Sequence, residues 1–235
     1  MTLSIIPIFG IGSIEPDADL AEIINGAANT QGTPIETGDC LVITQKIVSK
    51  AENRLVKIDH QDIQGRRRLI ESESVRILRT RGELVISETA HGFVCANAGI
   101  DFSNVPSGYA ALLPIDSDRS AQRVRSAMRS RQGVEVAVII SDTFGRPWRA
   151  GVTDVAIGVA GIAAIIDLRG ELDANGRELT VTEVAIADEI AGAGELVMGK
   201  STSVPVAIVR GVDKSWLGEG RARDLIRPAG EDLFR

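Results

Sequence analysis

The chain has 235 residues and a formal net charge of −6, with 44% hydrophobic and 25% charged residues. That composition excludes a disordered or collagen-like chain and gives either one large domain or two small ones room for a core. Mild acidity argues against a general nucleic-acid binder, because counterion release needs clustered basic charge. Two cysteines, Cys40 and Cys95, cannot build a disulfide scaffold, and two histidines leave a conventional zinc site almost without ligands. Aromatic residues are only 3% while glycines number 24, so the core must be aliphatic and the backbone must pass through tight places.

In chain order, Leu3 to Phe9 is apolar and β-branched and predicts a strand running into the glycine turn Gly10-Ile11-Gly12-Ser13. The N-terminus has no basic segment of the kind a signal peptide needs. Asp19 to Ala28 has helical spacing, with Asp17 or Asp19 as N-cap. Cys40 to Thr44 is a strand, and Gln45 to Lys50 continues it or turns into a helix. Leu55 to Ile58 is a short strand. Ser72 to Arg79 has helical spacing and many charges and predicts a surface helix. Gly82 to Ser87 and Gly92 to Cys95 are strands, followed by a polar loop from Ala96 to Ser107 and a short strand from Ala110 to Leu113. Ser117 to Gln132 predicts a basic amphipathic helix. Val134 to Ile140 is the strongest strand, an unbroken β-branched run of the kind buried on both faces, and it stops at Ser141. Val152 to Ile166 is a strand or strand pair, Thr182 to Met198 a helix, and Pro205 to Arg210 a final strand. The tail from Gly211 is charged and mixed. No run of about 18 apolar residues exists, so no transmembrane helix is expected, and the cytoplasm is the expected location. Strands and helices alternate without a βαβ rhythm, which favours α+β over a doubly wound sheet.

Four segments can carry chemistry. The turn Gly10 to Ser13 can offer backbone N–H groups to a phosphate, or be a plain turn; it lacks the Lys-Ser/Thr of a P-loop. Lys46 and Lys50 share one side of a helix if one forms there, as phosphate ligands or as a solvated pair. After the Gly92 strand, Asn97, Asp101, Ser103 and Asn104 gather oxygen donors that suit a hard cation such as Mg²⁺ or Mn²⁺, or satisfy their own turn. At the end of the apolar strand, Asp142, Thr143, Arg146 and Arg149 coincide: a strand-end acid for metal, a hydroxyl, and two guanidiniums that can take carboxylate or phosphate. Asp101 and Asp142 together make a two-carboxylate metal site if the fold brings them together. Cys95 is expected as a buried structural thiol, and His91 as a hydrogen-bonded residue more often than a base. Asp188 and Glu189, adjacent on a helix, point about 100° apart and cannot act as one dyad.

Four blocks, GDCLVITQKIVSKAENRLV, ETAHGFVCANAGIDFSNV, SDTFGRPWRAGVTDVAIGVAG and GRELTVTEVAIADEIAGAGELVMGKS, resemble the coenzyme F420:L-glutamate ligases, also called F420-0 γ-glutamyl ligases. The resemblance covers nearly the whole chain and the middle two blocks are the most specific. It is to the stand-alone form, or to the first domain alone of relatives that also carry a C-terminal nitroreductase-like domain. It implies an α+β fold of two interlocked subdomains over residues 1–235, neither Rossmann nor P-loop, and a homodimer. It implies a GTP-dependent addition of L-glutamate to F420-0, first by an amide and then by γ-glutamyl linkages, through an acyl phosphate. By position it makes Asp101, Asp142 and Thr143 the Mg²⁺ or Mn²⁺ ligands, and Asp101 and Asp142 the acids on which catalysis depends. It places Gln45, Lys50 and Asn104 near GTP. It matches Ile11, Gly12, Ser13 and Ile14 to one nucleotide loop and Met198, Gly199, Lys200, Ser201, Thr202, Ser203 and Val204 to another. A K⁺ requirement is a further family expectation. Position 200 is Lys here where relatives carry an acid or Gln, so it cannot hold metal and can instead meet a phosphate.

Overall fold

The computed structural model describes residues 2–103 and 105–233. The most apolar runs form the middle of the molecule. Strands β1 (Ser4–Pro7), β2 (Cys40–Thr44), β8 (Ala137–Arg146), β9 (Arg149–Ala160) and β12 (Val206–Arg210) make a five-stranded sheet in the order β1-β12-β2-β8-β9. Only β2 and β8 run parallel; the other pairs are antiparallel. Leu41, Val42, Ile43, Val138, Ile139, Ile140 and Ile208 are all fully buried, which is why these strands read as unbroken apolar runs and not as alternating ones.

Two helices cover the sheet's two faces. In helix α5 (Ile186–Met198), Gly194 lies on Val42, and Val42 pairs with Ile139. Gly158 pairs with Ile140 and lies under Ser117, the first residue of helix α4 (Ser117–Ala127). Neighbouring residues along a strand face opposite ways, so α5 and α4 sit on opposite faces. Helix α1 (Leu20–Thr30) packs beside α4 and is capped by the Asp19 carboxylate, which accepts from the Glu22 N–H. A Cβ at Gly158 would stand 2.4 Å from the Ser117 carbonyl oxygen, which is backbone and cannot swing away. Gly158→Ala is therefore expected to destabilise by about 2–3 kcal/mol, a fall in Tm of roughly 4–10 °C for a chain of this size. Thermal denaturation checks this, and an unchanged Tm would mean that α4 slides freely on the sheet.

A second, smaller cluster of buried apolar residues, including Ile70, Val85, Ile100 and Leu112, lies under three short elements. These are helix α3 (Ile63–Ser72), the pair β3 (Leu55–Lys57) with β7 (Tyr109–Ala111), and a sheet of β4 (Ser74–Arg81), β5 (Leu84–Thr89) and β6 (Val94–Ala96). Strands β10 (Ile166–Asp167) and β11 (Glu183–Val184) pair with each other. The architecture is α+β, as the sequence predicts, without a Rossmann or P-loop pattern. No helix among the described residues is long and apolar enough to cross a membrane.

Several boundaries differ from expectation, and three of the differences change the layout. Ser74–Arg81 is a strand, not a surface helix: its charges are solvent-facing on an edge strand, and pairing with β5 overrides their helical spacing. The helix expected from Thr182 begins at Ile186, because Glu183 and Val184 are taken by the pair with β10. The largest difference concerns β8. It does not stop at Ser141 but runs on to Arg146, turns at Pro147-Trp148 and returns as β9, with register shifts beside Ser141 and Arg146. Asp142 is thus inside a long hairpin, not at a strand end. The charged tail folds back as short helical turns, and the Asp118 carboxylate ties it to the sheet by accepting from the N–H groups of Val159 and Ala222.

Candidate active site

Helix α2 (Gln45–Ala51) starts directly at the end of β2, with Thr44 as its extended N-cap residue. That abrupt turn from strand to helix puts Gln45, Lys46 and Lys50 beside the β8–β9 hairpin. The loops after β1 and after α5 close over the same place. Together they enclose a cavity of about 520 Å³. Ile11, Gly12, Ser13, Gln45, Lys50, Asp142, Thr143, Gly199, Lys200, Ser201, Ser203 and Val204, all singled out from the sequence, line it. Segments far apart in the chain thus converge on one cavity.

Some expected residues are elsewhere. Ile14 and Met198 belong to the apolar core. Thr202 turns its hydroxyl back to the Met198 carbonyl. Asn104 lies outside the described residues. Asp101 is not on the cavity wall but reaches it through Lys46, whose Nζ lies 2.8 Å from Asp101 Oδ2 and 2.9 Å from Ser103 Oγ. Ser103 in turn donates its N–H and its hydroxyl to Asp101 Oδ1. Arg146 and Arg149 do not line the cavity: the strand continues past Ser141 and carries them to the exposed hairpin tip, where Arg146 Nη2 donates to the Ala150 carbonyl at 2.7 Å.

Asp142 is the most perturbed carboxyl of the site. Loss of water pushes its pKa up to about 7; the Thr143 N–H pulls the other way, the Asp101 and Asp154 carboxylates push it further up, and Lys46 lowers it. The Asp101 charge therefore reaches Asp142. A carboxyl facing another carboxylate ionises less readily unless a cation lies between them. Together with the Thr143 hydroxyl they are hard oxygen donors of the kind Mg²⁺ and Mn²⁺ select. No group of three or more His, Cys, Asp or Glu side chains gathers at one point among the described residues. A Mg²⁺ ion held by one or two carboxylates plus substrate phosphates and water needs no such group, so the residues fit the ion.

The cavity also holds positive charge and open donors. Lys46 and Lys50 stand one turn apart on α2. Burial and then the neighbouring Lys46 charge bring Lys50 below the ordinary lysine range, with Glu15 opposing. Gln45 is 1% exposed; its Oε1 accepts from the Ser49 hydroxyl at 2.8 Å, while its Nε2 has no partner. A buried amide donor left open on a cavity wall is costly unless a ligand oxygen meets it.

Sequence reasoning missed Asp154, Ser141 and Glu195. Asp154, only 2% exposed, pairs in register with Thr143. It accepts hydrogen bonds from Ser141 Oγ at 2.9 Å, Thr143 Oγ1 at 2.7 Å and Lys200 Nζ at 2.8 Å. Lys200 also meets Glu195 Oε1 at 2.7 Å. Burial pulls Lys200 down, but its bonds to Asp154 and Glu195 outweigh that and raise it. The signal that could have found Asp154 is the Pro147-Trp148 turn, which fixes the register once the hairpin is recognised.

The remaining candidates are structural. His91 Nε2 lies 2.9 Å from the Pro114 carbonyl, and its ring stacks on Phe93. Burial pushes the Cys95 thiol up to about 12 and Cys40 higher still, so neither is a nucleophile at neutral pH. Asp188 accepts from the Ala156 N–H at 2.8 Å, while Glu189 points to solvent.

Residues 10–211 match the family model described as F420-0:Gamma-glutamyl ligase. The coenzyme F420:L-glutamate ligase of Methanothermobacter thermautotrophicus is 43% identical, in an alignment spanning 100% of both chains. That of Methanopyrus kandleri is 41% identical over 100% of this chain and 98% of its own. That of Methanocaldococcus jannaschii is 43% identical over 86% of each.

Proposed function

The chain belongs to the F420-0:gamma-glutamyl ligase family, and from that premise we propose that it joins L-glutamate to the deazaflavin precursor F420-0 at the expense of GTP, with a divalent metal ion. The observation that carries this reading is the convergence, on one cavity wall, of a lysine pair with a raised, half-buried carboxyl and two polar loops. Lysines and open backbone N–H groups suit a polyphosphate; paired acids suit the metal that accompanies it.

The residues divide the work as follows. Lys46 and Lys50 hold phosphate charge, and the loops at Gly12-Ser13 and Gly199 to Ser203 lie against the nucleotide. The open Gln45 Nε2 donates to a ligand oxygen. Asp101 and Asp142, with Thr143, would hold Mg²⁺ or Mn²⁺, which when bound offsets phosphate charge. Lys46 then exchanges Asp101 for phosphate. The γ-phosphoryl group passes to the acceptor carboxylate, breaking its bond to GDP and forming an acyl phosphate. The glutamate amine attacks that carbonyl, phosphate leaves, and a proton is lost from nitrogen. The wall of Ile11, Ile47, Val204 and Pro205 keeps water from the acyl phosphate, which otherwise hydrolyses. Repetition on the new γ-carboxylate gives γ-glutamyl linkages. A K⁺ ion, a homodimer, two interlocked subdomains within residues 1–235 and a cytoplasmic setting complete the reading. Two separate buried clusters support the subdomain part.

A mass-spectrometric assay with F420-0, L-glutamate, Mn²⁺ and either GTP or ATP tests this. Successive glutamate additions with GTP alone are expected. No product with either nucleotide, from protein shown to be folded, would overturn it.

A further inference from the structure

Lys200 belongs to the loop placed against the nucleotide, but no step above uses its ammonium, which is the most fully engaged cation in the cavity. It sits in the loop after α5, and its Nζ lies 2.5 Å from Thr143 Oγ1, 2.8 Å from Asp154 Oδ1 and 2.7 Å from Glu195 Oε1. These oxygens come from three different elements: β8, β9 and the last turn of α5. An ammonium has three N–H donors and no acceptor, so this set uses every donor it has. Asp154 is 2% exposed while the lysine side chain is 51% exposed, so the stem crosses open space and only the head is spent on the interior. Two carboxylates and a hydroxyl around one point are a donor set for a hard cation. Here that point is filled by a charge attached to the chain.

We propose that the Lys200 ammonium is a built-in cation: it takes the place that an inorganic cation would otherwise have to fill between Asp154 and Glu195, and so fastens the loop 199–205 to the β8–β9 hairpin. The separations exceed the ~2.1 Å that Mg²⁺ requires and lie nearer the ~2.3–2.6 Å of Ca²⁺. Removing the lysine head should therefore leave a site for a large cation. The inference does not use the ligase reading and stands if that reading fails.

The test needs neither nucleotide nor acceptor. Wild type and Lys200→Ser are melted at fixed ionic strength in choline chloride, with and without CaCl₂, and both are titrated with Ca²⁺ by calorimetry. Wild type should show a smaller response to Ca²⁺. Lys200→Ser should melt lower in choline, recover at least half of that loss with Ca²⁺, and bind one more Ca²⁺ than wild type. Adding Glu195→Gln should weaken the extra site at least tenfold. Any Ca²⁺ held at Asp101 and Asp142 appears in both proteins and cancels in the difference. Equal Ca²⁺ stoichiometry in the two proteins, or no recovery of Tm, would overturn the proposal. Should Lys200→Ser not fold, Lys200→Gln keeps the stem without the charge, and the same difference decides.

Discussion

Asp142→Asn is expected to lower the rate of glutamate addition at least a hundredfold while leaving the protein folded. The loss follows from the proposed site: the substitution keeps the shape but removes one of the two carboxylates proposed to hold a metal ion, and deleting one well-placed electrostatic group costs on the order of 10²–10³ in rate. The intact fold follows from the surroundings. Burial and the neighbouring acids Asp101 and Asp154 already resist ionisation of Asp142, so an uncharged isostere relieves repulsion. Lys46, the cation whose charge acts on Asp142, keeps Asp101 and Ser103. Tm should therefore stay the same or rise, while turnover at limiting Mn²⁺ collapses. A variant with wild-type turnover under those conditions would remove Asp142 from the site.

Asp154→Ala is expected to act on stability. It removes the acceptor shared by Ser141, Thr143 and Lys200. Ser141 is 0% exposed and has no water to turn to. Leaving the buried Ser141 hydroxyl without its acceptor costs about 1–3 kcal/mol, the half-exposed Lys200 keeping Glu195, so Tm should fall by roughly 2–9 °C. Glu195→Gln removes only one side of a partly exposed pair and should cost under about 1 kcal/mol. Differential scanning calorimetry on the two variants separates the effects. Equal losses would mean that the buried network is not what holds the hairpin to the loop.

The sequence foretells which residues line the cavity better than it foretells the frame around it. Gln45, Lys50, Asp142 and Thr143 are legible because each stands where an apolar run breaks off into polar residues, and the loops at Gly12 and Gly199 because they follow a strand and a helix. The apolar strands are legible for the same reason: burial on both faces leaves no alternation to misread. What escapes is register. Whether β8 ends at Ser141 or folds back at Pro147 is decided by pairing with β9, not by any residue in β8 itself. That one choice moves Arg146 and Arg149 away from the cavity and brings Asp154 into it. Ser74–Arg81 fails in the same way, since its charges have helical spacing and only a partner strand makes it extended.

The strand order has a consequence for how the molecule comes into being. β12, residues Val206–Arg210, lies between β1 and β2 and pairs with both. β1 therefore cannot find its native neighbour, nor β2 the second of its two, until residues 206–210 have been made. Such distant pairing carries a loop-closure cost that must be met before any contact rewards it, and it slows folding. The cavity, whose far wall is Val204 and Pro205 next to β12, can close only at that last step. A chain cut short before residue 206 leaves β1 and β2 as open edges, which are sticky in nascent proteins, and it carries no site. Competence to bind waits on the synthesis of residues 206–210.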